Sequence, residues 1–289
     1  MDKIYNNWAF IAFSILSIIS CALIITVYYR VRELHYPAFR LVKDLTVINL
    51  IYGFALMIPS LNDLACQIQG MSIQFMTSVL ILWTAVIAHS LDLTIVRNID
   101  IEEKFYRRRA IVAVLVTAGF LTVLPFAGTQ FQSSAYGATH PWCWLANLGD
   151  DLLPWQLGVF YVPCALVLVY DLVVTILVLV VIHREENSWM RFEWSVRMRL
   201  WLYPCVILIP FGPCALLRVT EDPQFEPACA IAAPMSGILT TLIYGLTEQV
   251  RSHLCPCLWK QPEAQPPRTS TLTSILGPEQ WSAEGTSKS

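Results

Sequence analysis

Charged side chains are scarce in this chain. They make up 14% of its 289 residues, while 56% are hydrophobic, against about 25% and 45–50% in an ordinary soluble domain. That shortage excludes a globular domain folding alone in water. Several other things are missing. No metal-spaced His/Cys cluster appears, nor a group of catalytic side chains at one depth, so an intramembrane enzyme and a metal centre are not expected. No internal repeat stands out, which argues against a transporter of two halves. No basic leader precedes the first apolar stretch, which begins at Trp8 and is long enough to span; it reads as a helix serving as its own insertion signal rather than as a cleaved peptide. The net charge of −2 gives no reason to expect nucleic acid, and no cofactor is expected.

What remains is apolar runs. A bilayer-spanning helix needs about 20 mostly apolar residues, and seven runs qualify: about Asn7 to Val31, Leu41 to Pro59, Cys66 to Arg97, Ala110 to Gly128, Trp155 to His183, Leu200 to Val219 and Glu226 to Thr247. The expected fold class is an all-α membrane protein, a seven-transmembrane helix bundle. Lysine and arginine set its orientation, because they collect on the cytoplasmic side. With the N-terminus outside and the C-terminus cytoplasmic, all 19 except Lys3 and Arg218 fall inside. Residues 1–259 form the expected receptor domain. Residues 260–289, rich in Pro, Ser, Thr and Gln, cannot bury a core and read as a disordered tail.

The chain has nine cysteines. Cys21, Cys164, Cys205 and Cys214 lie inside apolar runs and read as small packing residues. Cys143, in the stretch "HPWCWLAN", and Cys66, at the start of the third run, both face the oxidising side in this topology. A disulfide between them would pin the loop over the bundle. Cys229 is a rival partner, and free buried thiols are the plain alternative. Trp142 and Trp144 fit an interfacial belt or a plug over a pocket.

Ionisable groups deep in a bilayer cost about 2.5–3.5 kcal/mol on insertion scales, so each needs a reason. Asp171 lies about 24 Å from one end of the fifth run and about 18 Å from the other at roughly 1.5 Å per residue. It reads either as a switch in the bundle interior or as a carboxyl bonded to a neighbouring helix for packing alone. His89 and Asp92 are three apart and share a helical face, as a switch element or a structural pair. Asp44 reads as interfacial, beside Lys43. In the sixth run, Pro210 and Pro213 provide either a hinge or static kinks.

Taken together, the "WCW" loop, "LWTAVIAHSLDLTIVR", "GVFYVP", Arg218 and "LIYG" resemble the cyclic-AMP-receptor-like (class E type) family of seven-transmembrane G-protein-coupled receptors over about residues 8 to 255. The resemblance implies an extracellular small-molecule ligand near Arg218, Trp142, Trp144 and Tyr161, a heterotrimeric G protein, cyclic-AMP signalling and a multi-pass place in the plasma membrane. It puts G-protein contacts on Arg97, Arg107, Arg108, Arg109, Arg197 and Arg199, a basic face that would also meet anionic membrane lipids. Cys255 and Cys257 follow the seventh run in what reads as a short amphipathic helix, and are palmitoylation candidates. Thr269, Ser270, Thr271, Thr273 and Ser274 would take phosphate and recruit a kinase- or arrestin-type regulator. The alternative is an orphan seven-helix sensor or scaffold without G-protein coupling.

Overall fold

The computed structural model describes residues 2–31, 37–130, 135–139, 141–146, 148, 152–185, 202, 204–220 and 222–245. Seven helical segments cross it in chain order. Helix α1 is Asp2–Arg30 and α2 is Pro37–Leu56. Helix α3 is Asp63–Leu91, prolonged by a π turn over Asp92–Val96. Helix α4 is Glu103–Val123, tightening into a 3₁₀ turn over Leu124–Ala127. Helix α5 comprises Leu152–Gln156, a π turn Leu157–Tyr161 and Val162–Glu185. Helix α6 is Cys205–Thr220. Helix α7 is broken into Glu226–Ala232 and Ser236–Thr240, ending in a π turn Thr241–Gly245.

Local chemistry sets these boundaries. Asn62 caps α3, its side chain accepting from the Ala65 amide at 2.8 Å, with Asp63 in the first turn, where a carboxylate favours the positive end of the helix. Helix α2 stops short of Pro59, since the residue before a proline is pushed out of helical conformation. Helix α4 begins seven residues before its apolar run, because its first two turns carry Lys104 and Arg107 to Arg109. Two prolines explain two irregularities. Pro163 has no N–H for the Val159 carbonyl one turn back, and the backbone there widens into the π turn. Pro234 does the same to Ala230, and the two halves of α7 meet at 47°. The run from Glu226 to Thr247 is therefore a bent pair of helices rather than one continuous helix.

Helix α3 is the central element, packing on α2, α4 and α5. Its Trp83 is buried and donates to the Leu41 carbonyl of α2 at 3.0 Å. Helix α1 lies against α2 and α7, and α6 against the first half of α7. The α1–α7 approach is close enough that only glycine fits at 237: a Cβ there would overlap Ser17 Oγ and lie 2.8 Å from Cys21 Sγ. Buried Asn49 of α2 donates to Thr240 of α7 at 3.2 Å. Outward-facing surfaces are apolar, as at Leu166 (67% exposed) and Val116 (67%), which fits a bilayer and not water. Among the described residues, four helices are individually long and apolar enough to cross a membrane, and the bent α7 pair makes a fifth. Helix α2 carries Arg40, Lys43 and Asp44 near its start, and α6 is 16 residues long as described. The chain is a multi-pass membrane protein.

Candidate functional site

One end of the bundle is closed by a small hairpin between α4 and α5. Strand β1, Tyr136–Gly137, pairs antiparallel with β2, Trp144–Leu145, with Tyr136 opposite Leu145 and Gly137 opposite Trp144. Three anchors fix it. The first is a disulfide from Cys143 to Cys66 at the start of α3, with Cα atoms 5.4 Å apart. The second is Gln69, one turn further along α3. Its Oε1 accepts from the Cys143 amide at 3.1 Å, and its Nε2 donates to the Leu56 and Ile58 carbonyls, which have lost helical partners at the end of α2. The third is Tyr136, whose hydroxyl donates to the Thr122 carbonyl of α4 at 2.8 Å; burial pushes this phenol well above its ordinary range. Gly70 makes the contact possible. A Cβ there would lie 3.1–3.3 Å from the Tyr136 ring and from the backbone of Cys143 and Trp144.

The hairpin drives Trp144 into the bundle, where it is 5% exposed. Its indole N–H donates to Gln74 Oε1 of α3 at 2.7 Å, and the Gln74 amide donates to the Val159 carbonyl that Pro163 left free. The Trp144 ring meets Phe160 and Tyr161 of α5 edge-on, at 5.5 and 6.0 Å between centroids. Arg218, in the last turn of α6, stands over the same ring at 5.6 Å and donates to Thr139 Oγ1 at 3.2 Å. Glu226 of α7 acts on Arg218 electrostatically. The Tyr161 hydroxyl donates to the Cys214 carbonyl of α6 at 3.3 Å. Trp142 turns the other way and stacks on Phe10 of α1 at 5.9 Å. The four residues expected to meet a ligand thus share one end of the bundle. Trp144, Tyr161 and Arg218 touch as a cluster, while Trp142 sits beside it, and Trp144 is a plug rather than an interfacial belt residue.

Two expectations about cysteine are corrected. Cys214 is not a packing thiol, and Cys229 is not the partner of Cys143: the two form a second disulfide, Cα atoms 4.7 Å apart, between α6 and the first half of α7. Facing helices bring them together, and Cys214 lies within an apolar run that gave no sign of a partner. Cys21, Cys164 and Cys205 are free thiols.

Deeper in the bundle, Asp171 is fully buried. Thr84 of α3 faces it across the helix contact, and the Thr84 hydroxyl also lies 2.7 Å from the Ile81 carbonyl of its own helix.

The opposite end is rich in arginine. His89 and Asp92 do not pair with each other. The π turn begins at Asp92 and carries its side chain onwards to Arg97, 2.9 Å away, while His89 Nδ1 lies 3.1 Å from the Tyr170 hydroxyl of α5. Asp44 does more than sit beside Lys43. It accepts two hydrogen bonds from Arg107 of α4 and lies 2.7 Å from Lys43. Arg40 pairs with Glu103 at 3.2 Å. Arg109 stacks over Phe105 at 3.9 Å, and Arg108 is exposed. Arg197, Arg199, Cys255, Cys257 and the residues from 260 onward lie outside the described residues. Pro210 and Pro213 sit inside α6. No group of three or more potential metal ligands occurs among the described residues.

Reading the residues alone passed over Gln69 and Gln74, which join the hairpin to the bundle. Their signal was an amide inside an apolar run, where a side chain with two donors and an acceptor needs partners.

No protein-family model matches this sequence, and no curated protein does. A crystal structure of squid rhodopsin is similar in shape, with a TM-score of 0.65 at 14% identity, covering 89% of this chain and 87% of that one. The chain is thus a seven-helix bundle with a rhodopsin-like fold.

Proposed function

We propose that this protein is a G-protein-coupled receptor, related to the cyclic-AMP-receptor-like family, at the plasma membrane. In this reading the N-terminus and hairpin are extracellular and the arginine-rich end is cytoplasmic; residues 1–259 form the receptor and 260–289 a regulatory tail. The observation that carries it is the position of Trp144, a single side chain touching α3 through Gln74, α5 through Phe160 and Tyr161, and α6 through Arg218. A small molecule that displaces or grips this plug acts on three helices at once, and it shifts the two states by its differential affinity for them. Arg218 already engages Thr139 and the Trp144 ring beside Glu226, so it is a poor lone anchor for a nucleotide phosphate.

At the cytoplasmic end, Arg108 is exposed, and Arg97, though paired with Asp92 at 2.9 Å, keeps 60% of its side chain exposed to meet a G protein. Arg107 is committed to Asp44. Asp171, together with the Asp92–Arg97 pair and the α6 prolines, supplies the switch. The tail cluster and Cys255/Cys257 would take a regulator and a lipid anchor.

The test is guanine-nucleotide exchange on purified heterotrimeric G proteins with the full chain in nanodiscs. Faster exchange with at least one Gα class, lost on Arg97→Glu, is the expected result. Exchange that stays flat across all Gα classes selects the uncoupled sensor or scaffold instead.

A further inference from the structure

Between α3, α4 and α5 at the arginine-rich end lies an open groove of about 480 Å³, within the range of about 300–1,000 Å³ typical of small-molecule sites. Its floor is small and apolar: Ala85 and Val86 of α3, Ala110 and Ala113 of α4. Its polar members are largely satisfied by each other. Tyr106 donates to the Val86 carbonyl at 2.9 Å, and His89 Nδ1 meets the Tyr170 hydroxyl at 3.1 Å.

Arg109 closes the rim, and, like Arg108 and Lys104 of the same helix, it has no carboxylate within 4 Å among the described residues. Arg40, Lys43, Arg97 and Arg107 each lie within 4 Å of a carboxylate. Arg109, among the described residues, has only the Phe105 ring. It belongs to the same helical stripe as Phe105, Val112 and Val116, which are 50%, 57% and 67% exposed, so its guanidinium sits at the end of a lipid-facing row. An arginine at that place complements a phosphate, which it binds by charge-assisted hydrogen bonds, with the attached chains running along the apolar stripe.

We propose that this groove is a binding site for one anionic phospholipid of the surrounding membrane, its phosphate on Arg109 and an acyl chain across the alanine floor. The site joins α4 and α5 to α3 next to the His89–Tyr170 contact, so its occupancy holds those helices together. This goes beyond receptor function and stands on the membrane placement alone.

The test is native mass spectrometry of the full chain in detergent, titrated with phosphatidylglycerol or phosphatidylcholine of identical acyl chains. One phosphatidylglycerol is expected to bind about tenfold more tightly than phosphatidylcholine, because the choline cation offsets the charge of the same phosphate beside Arg109. Arg109→Gln should remove that preference, and Ala113→Phe, which fills the groove, should weaken both lipids. Arg108→Gln, off the groove, should change neither. Equal binding of the two lipids, an Arg108→Gln loss as large as that of Arg109→Gln, or undiminished binding to Ala113→Phe would each overturn the proposal. Displacement of the lipid by excess inorganic phosphate would overturn it too, by reassigning Arg109 to a free-anion site.

Discussion

Replacing Trp144 separates the two things the plug does. Trp144 is 5% exposed, and its partner Gln74 is fully buried. Truncation to alanine removes a packed aromatic at about 3–5 kcal/mol and strands the Gln74 acceptor at about 1–3 kcal/mol more. The sum approaches the whole stability of a typical domain, about 5–15 kcal/mol, so Trp144→Ala should accumulate poorly. Trp144→Phe is the informative change: it keeps an aromatic against Phe160 and Tyr161 and loses only the N–H. Its cost should be the stranded acceptor, about 1–3 kcal/mol, or a melting midpoint lowered by about 2–12 °C. The assay is thermal unfolding followed with a thiol-reactive fluorophore, which reports on buried Cys21 as it becomes exposed. Adding Gln74→Leu to Trp144→Phe should cost less than it does in the wild type, with a coupling of about 1 kcal/mol for a direct contact. A Trp144→Phe variant that melts with the wild type, or strictly additive effects, would refute the plug.

Three further predictions follow from other contacts. Asp44→Asn leaves Lys43 and Arg107 facing each other without a counter-charge and should cost about 1–3 kcal/mol; Arg107→Gln should cost less, because Asp44 keeps Lys43, and equal melting shifts for the two would contradict the arrangement. Gly237→Ala forces α1 from α7 and should cost about 1–3 kcal/mol; Ser17→Ala in the same chain should recover part of the loss, while no recovery would place the strain elsewhere. Peptide mass mapping without reduction should yield two cross-linked pairs, Cys66 with Cys143 and Cys214 with Cys229, and finding Cys143 joined to Cys229 would undo the hairpin geometry.

The helix runs were legible because a bilayer imposes one demand on every spanning segment, and hydropathy measures it directly. Where that measure failed, the reasons were local. Pro234 sits among apolar residues, so the break in α7 left no trace in hydropathy. The start of α4 is amphipathic, and its charged first turns read as loop. His89 and Asp92 were matched on ideal helical spacing, which the π turn at Asp92 changes. At this end of the bundle, Cys66 was readable from its place at the start of the third run and Trp142 and Trp144 from the loop, while Tyr161 and Arg218 entered through family resemblance. Gln74 and the Asp44–Arg107 pair were not: their partners lie 85 and 63 residues away in sequence, and only the folded bundle decides which distant polar groups face each other.

Each disulfide joins cysteines on the same side of the α5–α6 connection. Cys66–Cys143 lies wholly before it and Cys214–Cys229 wholly after it. A single cut between Glu185 and Cys205 therefore yields two pieces, each with its own internal bridge, and no covalent bond among the described residues ties one to the other. The molecule is in this sense a five-helix body and a two-helix clip, and co-expression of the halves is a route to reconstituting the whole from parts that never shared a peptide bond.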